Sequence, residues 1–188
     1  MATHVFIVDE TTFKIHLEYQ FAGTGAKEKK SIFLTDETVD THYAIERGLM
    51  AMIADVSRIR IGDNIIFYLQ SANGKPGTFY GVFKASSKAF FDENDDENYL
   101  KDKLFKGLSY RIQITPYEVF EKGVTEHEYL DSLEGKKYPY ELCWSLIYRK
   151  LKGNRGCTMI TDYEYEDLYQ KLLKANDGKI LKRKLLFI

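Results

Sequence analysis

The chain has 188 residues, 44% of them hydrophobic and 29% charged, with a formal net charge of −1. That length suits one domain with a real core, and the balance excludes both a disordered chain and a polycation held to its partner by bulk charge. Charge is uneven, however: from residue 149 onward ten Lys or Arg stand against five Asp or Glu, which suits either a phosphate-facing surface or a solvated helix with a charged tail.

Reading from the start, "MATHVFIVDE" lacks the basic opening and long apolar stretch of a signal peptide. No apolar run approaches the ~18 residues of a membrane span, so the expectation is a cytoplasmic chain with no membrane partner. "HVFIVD" (4–9) is rich in β-branched and aromatic residues and predicts a buried strand. "AGTGAKEKKS" (22–31) reads as a glycine- and lysine-bearing loop. It is not a P-loop, because Gly23 and Gly25 are one residue apart and the motif requires four between its glycines. Residues 43–53 have helical composition, weakened by Gly48.

Gly62-Asp63 is a turn leading into a strand at 64–70. "SANGKPG" is turn chemistry throughout, with Asn73-Gly74 suited to positive φ. The strand that follows, "TFYGVFKAS", is expected to put Phe79, Gly81 and Phe83 on one face and Tyr80, Val82 and Lys84 on the other. Gly81 marks a place where another group comes close. Phe90 and Phe91 alternate in direction, so one can face the core and the other edge a pocket, ahead of the acidic run Asp92, Glu93, Asp95, Asp96 and Glu97. "LSYRIQITPYEVF" (108–120) predicts a strand limited by Pro116.

A helix is expected from Pro139 to Gly153, with Trp144 in its core-facing pattern. A last helix opens on the capping box Thr161 and Glu164 and ends at Asn176-Asp177-Gly178. Residues 1–178 then form one domain, and 179–188 a tail or linker to a further domain. Short strands with irregularly placed helices predict an α+β fold with a curled sheet or small barrel.

Catalytic patterns are lacking. His4, His16, His42 and His127 are scattered, Cys143 and Cys157 make no metal or disulfide spacing, and there is no G-x-S-x-G. Asp92, Asn94 and Asp96 imitate the start of an EF-hand, but Glu97 and Lys103 stand where it needs glycine and glutamate. The expectation is a binding module without catalysis, cofactor or metal.

The segment "VSRIRIGDNIIFYLQSANGKPGTFYGVFKASSKAFFDE" resembles the core hairpin of the PUA-like superfamily, in its EVE and YTH members, with Gly62-Asp63 and Gly81-Val82 matching. "LKDKLFKGLSYRIQI" resembles the YTH stretch that carries an aromatic cage wall, and "CWSLIYRKLKGNRGCTMITDYEYEDLYQKLL" is similar to the EVE C-terminus. The likeness covers residues 4–12 and 43–175; 13–42 and 121–138 have no counterpart.

The resemblance implies a PUA-like small curled β-barrel flanked by helices, holding one flipped or single-stranded modified base. Tyr43, Phe91 and Phe105 are then candidate walls, Asp9 and Ser71 candidate partners for the base edge, and Lys152, Asn154 and Arg155 candidate phosphate contacts. Each residue also fits a plainer role: Phe91 and Phe105 as core rings, Asp9 as a helix N-cap, Tyr43 as helix packing, and Arg155 and Lys152 as paired or solvated surface charge. The resemblance implies methylated DNA as partner, in the setting of McrB-type modification-dependent restriction proteins with downstream ATPase or nuclease parts. The alternatives are a reader of modified RNA and the specificity domain of a nuclease whose catalytic part lies downstream.

Overall fold

The computed structural model describes residues 1–24, 53–92, 108, 110–130, 137–138 and 156–181. Its centre is a parallel pair. β1 (Thr3–Val8) runs beside β3 (Asn64–Leu69) in unbroken register from Thr3↔Asn64 to Val8↔Leu69. Both strands are almost continuously apolar, the pattern of strands buried on two faces. Val5, Ile66 and Tyr68 point to one side, Phe6, Val8, Ile65 and Phe67 to the other.

The remaining strands extend this pair in both directions. β8 (Cys157–Ile160) lies antiparallel on the far side of β1. On the other side β4 (Thr78–Ala85) pairs with β3, β6 (Tyr110–Pro116) with β4, and β2 (Phe21–Thr24) with β6. The sheet order is thus β2-β6-β4-β3-β1-β8, with the two-residue β5 (Phe90–Phe91) on β6 and β7 (Val124–Thr125) on β4. The mixed sheet curls into a half-barrel flanked by helices.

Each face is covered by its own elements. Leu168 and Leu172 of α3 (Asp162–Ala175) and Tyr129 of α2 (Glu126–Leu130) pack with Val5, Ile66 and Phe79. Within the curl, Phe67 and Ile65 meet Ala22, Ile112, Ile114 and Val56, with Phe13 and Leu17 of α1 (Glu10–Glu18) at the margin. A fully buried ring or branched chain of this kind contributes roughly 1.5–3 kcal/mol. No helix of the described residues is long and apolar enough to cross a membrane.

The local signals at the C-terminus act as expected. Thr161 Oγ1 accepts from the Glu164 amide at 3.2 Å and Glu164 Oε2 accepts from the Thr161 amide at 2.7 Å. At the other end of α3, Asp177 and Gly178 take positive φ, and the Gly178 amide donates to the Leu173 carbonyl at 2.9 Å. Beyond that stop, the Leu181 amide donates to the Val119 carbonyl at 2.7 Å, so the chain returns to the body.

Two readings of the sequence are corrected and one alternative is decided. Residues 22–24 are not loop: they belong to β2, which pairs with β6 through Ala22↔Ile112 and Gly23↔Arg111. A helix, α1, stands at 10–18 with Asp9 as its N-cap, the plainer of the two roles open to that residue. Phe79 and Phe83 do not share a face, because a bulge falls between Ile65↔Phe83 and Phe67↔Tyr80. The extra residue on β4 turns Phe79 to one core cluster and Phe83 to the other. The close neighbour at Gly81 is Ile66, whose Cγ1 would lie 3.1 Å from an added Cβ.

Two buried polar ties hold the ends of the sheet. At one, the Tyr68 hydroxyl donates to Glu126 Oε2 at 2.6 Å and the Gly77 amide to Glu126 Oε1 at 3.3 Å, while the Glu126 amide returns to the Gly77 carbonyl at 2.7 Å. An added Cβ at Gly77 would lie 2.1 Å from the Tyr68 hydroxyl, and that ring, 1% exposed and held by Glu126, has nowhere to go. At the other, Asp63 accepts from the amides of Ala2 at 3.0 Å and Arg60 at 2.9 Å, with the buried His4 Nε2 at 3.4 Å.

Burial pushes the His4 imidazole below its ordinary pKa, against the pull of Asp63. Burial also pushes Asp63 upward, but the two amides and His4 outweigh it and leave its carboxyl below the ordinary value. The unfolded chain therefore takes a proton on His4 at higher pH than the folded one. Its contribution is complete above the ordinary value of 6.5 and is lost as pH falls from there towards the folded pKa. Asp63 adds stability above 3.8 that is lost as pH falls through its lower folded value.

Gly77→Ala is expected to destabilise the chain by about 2 kcal/mol or more, lowering Tm by roughly 4–8 °C. Gly74→Ala, strained in φ but with open space around it, should cost about 1 kcal/mol. Equal melting points for the two variants would contradict this packing. Urea midpoints should fall between pH 7.5 and 5, and fall less in His4→Gln; identical pH profiles would remove His4 from the account.

Candidate nucleic-acid interface

The parallel pair creates one distinctive sheet end, where β1 and β3 both finish. The Gln70 amide donates to the Val8 carbonyl at 2.8 Å, so the chains leaving the two strands diverge from one place. Asp9 and Ser71 follow on either side of that bond, which brings these two candidate residues to the same end of the sheet. In sheets with parallel strands this end is where ligands commonly enter.

Asp9 caps α1. Its Oδ1 accepts from the Thr12 amide at 2.8 Å and the Thr12 hydroxyl at 2.9 Å. Ser71 is exposed and opens a hairpin closed by the Ala72↔Lys75 bridge, with Asn73 and Gly74 at positive φ. The tip sits near the start of α1. Glu10 is held below the ordinary carboxylate range first by Lys14, whose Nζ bonds it at 3.0 Å, and to a smaller extent by the charge of Lys75.

From this end an aromatic seam runs under the curl. Phe13 lies 5.2 Å from Tyr80 and 5.5 Å from Phe67, centroid to centroid. His16 stands 5.4 Å from Phe67 and 4.9 Å from Phe21, and accepts from the Gly23 amide through Nε2 at 3.1 Å. Phe13 and Tyr80 are half-buried, leaving ring surface available at the margin of the seam. Such surface suits stacking against a flat ligand, worth about 1–3 kcal/mol per base.

The seam ends on a buried cation. Arg111 is 1% exposed, and its guanidinium sits 4.4 Å over the Phe21 ring. Its Nε donates to the Leu108 carbonyl at 2.7 Å, and its Nη1 pairs with Asp92 Oδ2 at 2.7 Å. The first acid after Phe90-Phe91 is thus the counter-ion of a buried arginine. In β5 the register is Phe90↔Arg111 and Phe91↔Tyr110. Directly opposed residues share a face, so Phe91 stands on the side of Tyr110 and Phe90, 36% exposed, on the side of Arg111.

Of the candidate residues, Asp9 and Ser71 share the sheet end where β1 and β3 finish, whereas Phe91, opposite Tyr110, stands past the Ala85↔Ile114 pair towards the other end. Tyr43, Phe105, Lys152, Asn154 and Arg155 lie outside the described residues. Sequence reasoning passed over Phe13, His16, Tyr80 and Arg111. A usable signal existed for Arg111, a lone arginine beside the alternating Ile112 and Ile114, but its partner lies 19 positions away. Among the described residues no group of three or more His, Cys, Asp or Glu is placed to hold a metal ion.

No family model matches the chain, and no curated protein matches it in sequence. Solved structures do match. A hypothetical protein from Leishmania major is similar at TM-score 0.57 and 11% identity, covering 93% of this chain and 96% of its own. The human THYN1 protein, solved in complex with DNA containing 5-methylcytosine, is similar at TM-score 0.51 and 9% identity, covering 95% and 99%. The DUF55 domain of human thymocyte nuclear protein 1 gives TM-score 0.51 and 11% identity over 94% and 99%. With these neighbours, the curled mixed sheet and its flanking helices identify the architecture as an α+β fold of the PUA-like kind.

Proposed function

We propose that this chain is a DNA-binding module that recognises a methylated base turned out of its stack, as an EVE/YTH-type domain does. The reading is supported by one observation above others: human THYN1, which shares the fold over nearly the whole chain, was solved with DNA containing 5-methylcytosine. The half-buried rings at the margin of the aromatic seam supply the surface such a base requires. A flipped base loses its stacking neighbours and must regain them from side chains, while its edge is read by polar groups.

On this reading Phe91, Tyr43 and Phe105 wall the base beside β5, Lys152, Asn154 and Arg155 meet phosphates, and Asp9 and Ser71, at the other end of the sheet, meet the DNA strand rather than the edge of that base. The module performs no reaction itself. It serves as the specificity part of a modification-dependent restriction system of the McrB-like type, whose ATPase or nuclease supplies the chemistry.

Filter-binding titrations test this with DNA and RNA oligonucleotides carrying 5-methylcytosine, N6-methyladenine or neither, at two salt concentrations. Methylated DNA should bind most tightly, by about tenfold for one methyl in a fitted pocket. Phe91→Ala and Phe105→Ala should each weaken the methylated strand by about tenfold and the unmethylated one much less. Lys152→Ala and Arg155→Ala should weaken all strands alike, each lowering the salt slope by about one. Affinity indifferent to both methylation and salt would overturn the reading, and tighter binding of methylated RNA would move it to RNA.

A further inference from the structure

We infer that Arg111 is a positioning residue that decides, through Asp92, which of two adjacent phenylalanines faces the base-binding side. The inference rests on the base-binding reading above and adds to it the device that sets the candidate wall Phe91. β5 has two residues, and a pairing that short supplies little hold of its own. A slip of one residue against β6 would exchange the faces of Phe90 and Phe91. Since both are phenylalanine, side-chain chemistry alone does not discriminate between the two registers.

The ion pair does discriminate. Asp92 follows Phe91 directly and is bound to Arg111 at 2.7 Å, with the two side chains 20% and 2% exposed. Arg111 is itself immovable. It lies over Phe21, donates to the Leu108 carbonyl, and has its Cγ where an added Cβ on Gly23 would come within 3.1 Å. A charged hydrogen bond is directional, and breaking a buried pair leaves an uncompensated charge, so a slipped Asp92 is strongly disfavoured. The opposing residue is fixed as well, since the Tyr110 hydroxyl lies 2.8 Å from Ser57 Oγ. With both sides of the register pinned, Phe91 stays beside Tyr110.

The test uses the full chain with Asp92→Ala, Asp92→Asn, and Leu172→Ala in α3 as a destabilised control on the opposite face of the sheet. Nuclear Overhauser contacts between Phe91 and Tyr110 report the register; the ratio of affinities for 5-methylcytosine and cytosine oligonucleotides reports its consequence. Asp92→Ala should unfold cooperatively, lose the Phe91–Tyr110 contacts, and lose most of a discrimination worth about tenfold. Asp92→Asn, which keeps the shape without the charge, should fall between Asp92→Ala and wild type. Leu172→Ala should lower Tm and leave the ratio unchanged. Retained Phe91–Tyr110 contacts or a retained ratio in Asp92→Ala would overturn the inference. If Asp92→Ala does not fold, Asp92→Asn decides on the same two readouts. Equal wild-type affinity for both oligonucleotides would instead overturn the base-binding reading, and the register contacts would still decide the role of Arg111.

Discussion

Parallel pairing of β1 with β3 leaves neither strand a face for water. The two strands carry apolar side chains alternately up and down, and each set demands cover. The cover arrives from different parts of the chain: α2 and α3 on one side, and the curl of β4, β6 and β2 with α1 on the other. Removing water from both faces is the dominant favourable contribution, since several rings and branched chains per face each add roughly 1.5–3 kcal/mol. The same arrangement gives the sheet a polar exit, because both strands end at one edge and their continuations, Asp9 and Ser71, must part there.

Burial on two faces also makes polar groups within the body conspicuous. Glu126 is tied to Tyr68 and Gly77, Asp63 to two amides and His4, and Arg111 to Asp92 and Leu108. Each joins parts of the chain distant in sequence, and each would destabilise the fold if one partner were lost. Their positions differ in meaning. The Glu126 tie closes the hairpin beside Ser71, the Asp63 tie locks the turn before β3, and the Arg111 tie anchors the short β5.

The bulge in β4 shows how a small irregularity serves the larger arrangement. By adding one residue opposite β3 it lets Phe79 serve the helical side and Phe83 the curl, so one strand completes both cores. It falls where Gly81 permits Ile66 to approach, which a larger residue would oppose unless Ile66 gave way. The aromatic seam is built by similar means. Its rings come from α1, β2, β3 and β4, and the seam exists only when those elements have assembled.

Features governed by near neighbours were legible in the sequence. The strands at 64–69 and 78–85, the turns at Gly62-Asp63 and Asn73-Gly74, and the capping box of Thr161 and Glu164 depend on residues a few positions apart. The resemblance to PUA-like domains rested on the order of such pieces. Only the tertiary structure decided the rest. β2 is a strand because β6 offers it a ladder, Phe79 and Phe83 part because β3 sets their register, and Asp92 has a role because Arg111 is buried 19 positions away. Asp9 and Ser71 come to the same sheet end in the same sense, through the ladder that pairs β1 with β3. Pairing between distant segments is chosen by the free energy of the whole core, and no short window of sequence carries that sum.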